Sequence, residues 1–328
     1  MTSNPHYGPE TTGTEVAQRF SAEIKGSTVL ITGISPNSLG ETLALTIANH
    51  SPAHLILASR TGSKLQEVER KLKPSSETRI TLLPLDLASQ VSIRDAVERL
   101  ERLITHIDVL INNAGVVSST RQETAEGLEL TFGTNHIGHF LLTSLLVPKL
   151  LASNSPRVVN VSSLGYKLSP FRFHDYNFLG KDVPPEELPP KGLPRSFTPS
   201  GEKGREYVTF CAYGQSKTAN VLHVVGLRRR FGMRAYAVHP GTIWTDLPRS
   251  LSERDYKIIE GSPVWKNHDQ GIATTLAAAF DPMLKDAREG VFLSDCQFED
   301  VLPYAKDSEL AERLWKLSES LVGGQSKL

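Results

Sequence analysis

Residues 27–48 read STVLITGISPNSLGETLALTIA, and the fold turns on how this stretch divides. Ser27–Thr32 is an apolar run without polar alternation, which suits a strand covered on both faces. It stops at Gly33, turns, and reaches a second glycine, Gly40, where apolar residues begin to recur at helical spacing. A strand that ends at a glycine and opens a helix beside another forms a βα turn. The backbone N–H groups of such a turn, with the helix N-terminus, can hold a dinucleotide pyrophosphate. Tight βα turns also use glycine for purely steric reasons, so the turn needs support from elsewhere in the chain.

That support comes from the next apolar run. HLILASR places Arg60 20 residues after Gly40, with Lys64 one helical turn further on. An acid at the end of the second strand would suit the ribose 2′-hydroxyl of NAD, whereas an arginine suits the 2′-phosphate of NADP. Further outward, ITLLPLD, DVLINNAG, RVVNVSS and MRAYAVHPG repeat the pattern, separated by longer amphipathic stretches. Strands alternating with helices predict βαβ units and a parallel sheet: an α/β, Rossmann-type doubly wound single domain.

Two segments fall outside the rhythm. Residues 1–25 are polar with no sustained apolar pattern, and read as an N-terminal arm lying on the domain of residues 26–328, or partly disordered. Residues 165–207 hold seven of the chain's 20 prolines, which excludes a continuous helix there. So long a connection inside a compact domain is usually functional or disordered. Its cluster of Phe171, Phe173, Tyr176 and Phe178 points to an ordered insert, read as a substrate lid.

Composition narrows the partners. The 328 residues are 39% hydrophobic and 22% charged, with 36 basic and 36 acidic side chains. This balance argues against a broad basic surface for nucleic acid or anionic membrane and favours small molecules. No apolar run is long enough for a transmembrane segment. Two cysteines, Cys211 and Cys296, are too few for a disulfide framework, and nothing at the N-terminus resembles a signal peptide. A reducing cytoplasmic setting is expected.

The candidate chemistry lies in CAYGQSKTANVLHVVG, where Tyr213 and Lys217 are four residues apart on what reads as the first turns of a buried helix. Positions i and i+4 share a face, so phenol and ammonium can enter one pocket. A neighbouring cation stabilises phenolate, and a phenol with a lowered pKa can exchange a proton with a substrate oxygen.

Taken in order, these motifs resemble the short-chain dehydrogenases/reductases from about Gly26 to about Val322. Within that family the chain is most similar to the retinol-dehydrogenase-like and WW-domain-oxidoreductase-like branch and to fungal carbonyl reductases. The resemblance implies a catalytic set of Asn135 in TNHIGHF, Ser163 in VVNVSSLG, Tyr213 and Lys217. It implies NADP(H) contacts from Thr32, Gly33, Ser35, Asn37, Ser38, Leu39 and Gly40 at the turn, and from Arg60 and Lys64 after the second strand. Asp86 and Leu87 of PLDLAS, Asn112, Asn113, Ala114 and Gly115 of NNAG, and Pro240, Gly241, Thr242 and Thr245 of PGTIWT complete that set, with Tyr213 and Lys217 also touching the cofactor. It also implies reduction of an apolar carbonyl, or oxidation of the matching alcohol, with Tyr213 as proton donor, Ser163 as hydrogen-bond donor and Asn135 holding a water beside Lys217. Relatives pair through the helices carrying Asn135 and Tyr213, so a homodimer is possible.

The turn departs from the family pattern. It is one residue longer than T-G-x-x-x-G-x-G, with Ser38 where the middle glycine is expected. Asn37 tolerates the left-handed region and Ser38 can cap the following helix, which offers a compensating geometry. His136 and His139 read as packing residues rather than metal ligands. A nucleotide-retaining epimerase or dehydratase, or a non-catalytic nucleotide-sensing or scaffolding protein, are the rival readings. The intact Asn135, Ser163, Tyr213 and Lys217 set argues against the scaffold.

Overall fold

The computed structural model describes residues 2–72, 77–199, 205–244, 251–261, 265–284 and 290–323. Its frame is an eight-stranded sheet in the order β3-β2-β1-β4-β5-β6-β7-β8. The strands are β1 (Thr28–Thr32), β2 (His54–Ser59), β3 (Arg79–Pro84), β4 (Val109–Asn112), β5 (Arg157–Val161), β6 (Arg234–His239), β7 (Phe292–Ser294) and β8 (Gln297–Phe298). The pairings from β3 through β7 are parallel, and β8 turns back antiparallel on β7. The six apolar runs of the sequence are the first six strands. Strand order reverses between β1 and β4, which opens a crevice at their carboxyl ends, where ligands bind in open α/β sheets.

Period-2 alternation sends neighbouring residues of each strand into different cores. Leu30, Ile56, Leu110 and Val158 enter one, beneath the helices Gln90–Glu101, His139–Leu151, Thr209–Phe231 and Ser308–Leu321. Val29, Ile31, Leu55, Leu57, Ile111 and Val159 enter the other, beneath Gly13–Arg19, Leu39–Ala48, Gly62–Lys71 and His268–Phe280. Both faces are covered, so the strands carry no polar face.

Residues read as an N-terminal arm are built into this second core. Thr12 and Glu15 form a reciprocal capping box on the helix Gly13–Arg19, and Val16, Ala17, Phe20 and Ile24 are buried. Four well-spaced apolar residues suffice here because the helix His268–Phe280 receives them, which a local reading could not see.

The insert also differs from expectation. Its aromatic residues face protein: Phe171 packs on Phe132 and Phe173, Tyr176 on Phe132, and Phe178 on Tyr207. Arg172 is fully buried, paired with Asp175 at 3.2 Å and lying over the Phe178 ring. The segment is a buttress for the tyrosine helix. Thr218 donates to the carbonyl oxygens of Tyr166 and Ser169, and Gln215 donates to that of Tyr176.

On its far side the tyrosine helix meets the C-terminal helix, where a Cβ on Gly226 would sit 2.7 Å from the Trp315 ring. Of the 23 residues of Thr209–Phe231, 18 are buried within the chain itself. A second copy could pair through this helix only by displacing what covers it.

Candidate active site

A cleft of about 540 Å³ runs along the carboxyl ends of the strands, from Arg60 and Lys64 at one end to Ser163, Tyr213 and Lys217 at the other. Its floor is the β1 turn. Gly33 has φ +78°, and a Cβ there would lie 2.7 Å from Ala114 Cα; a Cβ on Gly40 would lie 2.4 Å from the Gly33 oxygen. Only glycine permits this approach of turn, helix and the post-β4 loop.

The anticipated compensation at the turn is present. Asn37 takes φ +57°, and Ser38 caps the helix Leu39–Ala48 by accepting from Glu41 N while donating to Ser35 O at 2.6 Å. Ser35 Oγ lies in the cleft wall, buried and without a hydrogen-bond partner among the described residues. A buried hydroxyl beside a helix N-terminus and a glycine cradle fits a phosphate-bearing cofactor.

Most of the proposed cofactor residues line the cleft: Thr32, Gly33, Ser35, Ser38, Leu39, Gly40, Arg60, Lys64, Asp86, Leu87, Asn113, Ala114, Gly115, Pro240 and Gly241, with Tyr213 and Lys217. Four do not. Asn112 is buried under the floor, donating to Thr143 and Asn160. It comes last in β4, so the sheet interior claims it. Asn37 shapes the turn through its backbone and donates its N–H to Glu41. The Thr242 carbonyl accepts from Lys266 N, which ties the post-β6 loop to the segment that leads into the helix His268–Phe280. Thr245 lies outside the described residues.

Residues that sequence reasoning missed include Ser59 and Thr61, which flank Arg60. At the catalytic end, Val116, Val117, Leu130 and Ile243 supply apolar wall, with Ser118 and Gln122 between them. Val116 directly adjoins NNAG and Ile243 lies within PGTIWT, so proximity in the chain was an available signal. None of the described insert residues lines this cleft; the insert aromatics pack on the protein as the buttress described above.

The catalytic end is assembled from three elements. Tyr213 and Lys217 come from the helix Thr209–Phe231, and Ser163 follows β5. Asn135 sits in a π turn, Gly133–Gly138, that interrupts the helical segment from Leu130 to Leu151. π turns of this kind recur at functional sites. Asn135 is fully buried and pairs with Val116 at two points: its Oδ1 accepts Val116 N at 2.8 Å and its Nδ2 donates to Val116 O at 2.9 Å. A further bond from Nδ2 to Ser216 Oγ ties it to the tyrosine helix. Lys217 Nζ donates to Val161 O at 3.0 Å and lies 5.4 Å from the centre of the Tyr213 ring.

Burial governs the protonation of this pair. Desolvation pushes the Tyr213 phenol up to about 12, against a hydrogen bond with Ser163 that lowers it. The direction is opposite to that expected from Tyr213–Lys217 spacing alone, because the phenol itself is fully buried, and the lysine is desolvated too. Burial brings its ammonium down to about 8, which weakens the cation meant to stabilise phenolate. Among the described residues there is no cluster of His, Cys, Asp or Glu arranged to hold a metal ion. His136 is buried and stacks on Phe132, with Nε2 on Ser318 Oγ.

Comparison with known proteins agrees with this geometry. Residues 27–177 match the family model described as short chain dehydrogenase. The chain is 36% identical over 240 residues to the oxidoreductase fscI of Fusarium equiseti, covering 70% of this chain and 92% of that one. It is 33% identical to mouse retinol dehydrogenase 12, covering 93% and 89%. A crystal structure of an uncharacterized protein from Mycobacterium paratuberculosis superposes with a TM-score of 0.64 at 29% identity, covering 91% of this chain and 94% of that one. With its doubly wound sheet and the Ser163, Tyr213 and Lys217 groups gathered at the end of the cleft, this chain belongs to the short-chain dehydrogenase family of nicotinamide-dependent oxidoreductases.

Proposed function

We propose that the protein is an NADP(H)-dependent carbonyl reductase or alcohol dehydrogenase acting on an apolar, medium-to-large ketone, aldehyde or alcohol. The observation that carries this reading is the arrangement of one continuous cleft, with cations at one end and a proton donor at the other. Arg60 and Lys64 lie where an adenosine 2′-phosphate would be met, and no acid stands at the end of β2 to select a free 2′-hydroxyl. Gly33, Gly40 and Ser35 form a cradle that fits the pyrophosphate. When bound, the cofactor supplies or accepts the hydride at its nicotinamide ring.

The chain's own groups do the rest. In the reducing direction Tyr213 gives its proton to the substrate oxygen as negative charge develops there. Ser163 Oγ accepts from Gly165 N, and its own proton, which bonds Tyr213, would turn to the same substrate oxygen. Lys217, held by Val161 O, presents its remaining N–H groups to the cleft and favours the phenolate that Tyr213 becomes. Val116, Val117, Leu130 and Ile243 keep water from the reacting centre and select apolar substrates. Both cysteines are free and buried, in keeping with a reducing cytoplasmic setting. No helix among the described residues is long and apolar enough to cross a membrane.

The test is consumption of NADPH and of NADH with a panel of small and large ketones and aldehydes, for the unmodified protein and for Tyr213→Phe. The phenylalanine variant should bind NADPH normally and lose roughly 10²–10⁴-fold in turnover. A variant that reduces its ketone within a few-fold of the normal rate would place the acid elsewhere.

A further inference from the structure

Of the buried histidines that the mechanism leaves unused, one stands against the site itself. His139, 2% exposed, lies between the floor of the cleft and the catalytic asparagine. Its Nδ1 is 3.0 Å from the backbone oxygen of Asn135, and its Nε2 is 2.9 Å from Thr32 Oγ1. Its own backbone N–H goes to His136 O, so it is the imidazole that reaches back to Asn135.

The partners fix the tautomer. A carbonyl oxygen can only accept, so Nδ1 must carry the proton. In a neutral ring Nε2 is then bare, and the Thr32 hydroxyl must donate to it. The Thr32 oxygen is left to accept, and it receives the backbone N–H groups of Asn113 at 2.9 Å and Ala114 at 3.0 Å. Every donor meets an acceptor in this arrangement. Protonating Nε2 would aim a second donor at a hydroxyl already receiving two, with Ile111 O at 3.5 Å as the displaced hydroxyl's other outlet. Burial holds the imidazole down to about 4, and the charges of Lys217, facing it from the tyrosine helix, act in the same sense. His136 and His223 face the same cluster, and burial keeps both neutral near pH 7.

The relay spans the two halves of the site. On one side stand Thr32 and the loop Asn113–Ala114, which line the cofactor cleft. On the other stands Asn135, whose side chain is locked on Val116. Between them is Gly115, where a Cβ would lie 3.6 Å from Lys217 Nζ and 3.7 Å from Asn135 Oδ1. We propose that His139 is a positioning residue of the active site: a neutral imidazole protonated at Nδ1 that fixes the Asn135 carbonyl to the Thr32 hydroxyl, and so sets Asn135 beside Lys217. This rests on the oxidoreductase reading given above.

Three substitutions separate positioning from packing. His139→Leu removes both hydrogen bonds and keeps an apolar side chain. His139→Asn places an amide donor where Nδ1–H stood and loses the acceptor for Thr32. His139→Gln does the reverse, offering a carbonyl toward Thr32 while the Asn135 oxygen loses its donor. With NADPH and a ketone turned over by the unmodified protein, kcat for His139→Leu should fall roughly 10–100-fold, the scale of a misplaced catalytic group, with KM nearly unchanged. His139→Asn should recover kcat to within a few-fold, and His139→Gln should stay low. The proposal is overturned if His139→Leu keeps kcat within a few-fold, if the glutamine variant is the one that recovers, or if the three rates simply follow the three melting temperatures.

A second measurement does not depend on turnover. In protein labelled with ¹⁵N-histidine, with the His139 signal identified by its absence from His139→Asn, Nδ1 should be protonated and Nε2 bare at every pH from 5 to 9. A proton on Nε2, or titration within that range, overturns the relay even if no substrate is found. Absence of turnover with every carbonyl tested would count against the oxidoreductase reading instead, and the ring's tautomer would still decide the role of His139.

Discussion

The two ends of the cleft solve different problems. At the end of β2, Arg60 is exposed to water and its charge costs nothing to keep. At the other end, Lys217 is buried, and desolvation lowers its ammonium to about 8 while raising the Tyr213 phenol to about 12. An exposed cation can recognise a phosphate anywhere along a loop, and its effect is screened by salt. A buried pair must be held in place by other parts of the chain, and its protonation is set by what surrounds it. Recognition at one end is local, whereas chemistry at the other is a property of the packed core.

Lys217→Met breaks the contrast most severely. The buried cation and its cleft-facing donors disappear, so turnover should fall by roughly 10²–10⁴-fold, as for loss of an acid–base group, and cofactor affinity should weaken. Stability should move the other way. A lysine whose folded pKa lies below its unfolded 10.5 contributes stability that is present above pH 10.5 and lost as pH falls through about 8. Near pH 7 the unmodified protein therefore carries most of a cost of about 3 kcal/mol that the methionine variant lacks. Urea unfolding at pH 7 and pH 10 should show the variant's advantage at the lower pH shrinking as the pH rises; a constant difference would mean the lysine is not desolvated as described.

Next in size is the support behind the catalytic end. Phe171 is 2% exposed and packs on Phe132, in the same cluster as the tyrosine helix. Phe171→Ala should cost about 3–5 kcal/mol, the range for truncating a buried aromatic residue. Thermal or urea unfolding with intact cofactor binding in the surviving folded fraction would fit a buttress. A loss confined to KM for large carbonyls, with stability unchanged, would restore the lid reading.

What the sequence made legible follows the same division. The six strands, the glycine turn, the capping role of Ser38 and the left-handed Asn37 are local statements, written in hydrophobic period and turn chemistry, and each is found in the structure. Tyr213 and Lys217 share a helix, so their neighbourhood was legible from spacing as well. For the insert, Phe171, Phe173, Tyr176 and Phe178 say only that they need cover. Whether that cover is substrate or protein depends on Phe132 and Arg313, far away in sequence. The Tyr213 shift has a related origin: spacing reports that a cation is near, but only packing reports how dry the pair is. Asn112, drawn into the sheet by Asn160 and Thr143, fell between motif and core.

At the exposed end the effects shrink. Arg60→Asp should reverse or abolish a preference for NADPH over NADH. A charge-assisted contact in solvent contributes about 1–2 kcal/mol, at or below the lower part of the range for hydrogen bonds to charged groups. That corresponds to roughly 5–30-fold in affinity. The preference should weaken as salt is raised from low to physiological ionic strength. Equal binding of the two cofactors to the unmodified protein would remove Arg60 from the recognition argument.

The smallest effect tests the turn itself. Ser38 stands where the family pattern has a glycine, and its hydroxyl is already spent within the chain, accepting from Glu41 N at 3.2 Å and donating to Ser35 O at 2.6 Å. If its task is to cap the helix Leu39–Ala48, Ser38→Ala should cost about 1 kcal/mol of stability, while Ser38→Gly should cost only a few tenths. NADPH affinity should change little in either, because the backbone N–H groups and helix N-terminus that would hold the pyrophosphate remain in place. Melting temperature and NADPH fluorescence titration on the two variants separate the possibilities. An alanine variant of normal stability that binds NADPH tenfold more weakly would show the hydroxyl contacting the cofactor directly, and the local rule at this end of the cleft would then fail at the residue where the turn departs from the family pattern.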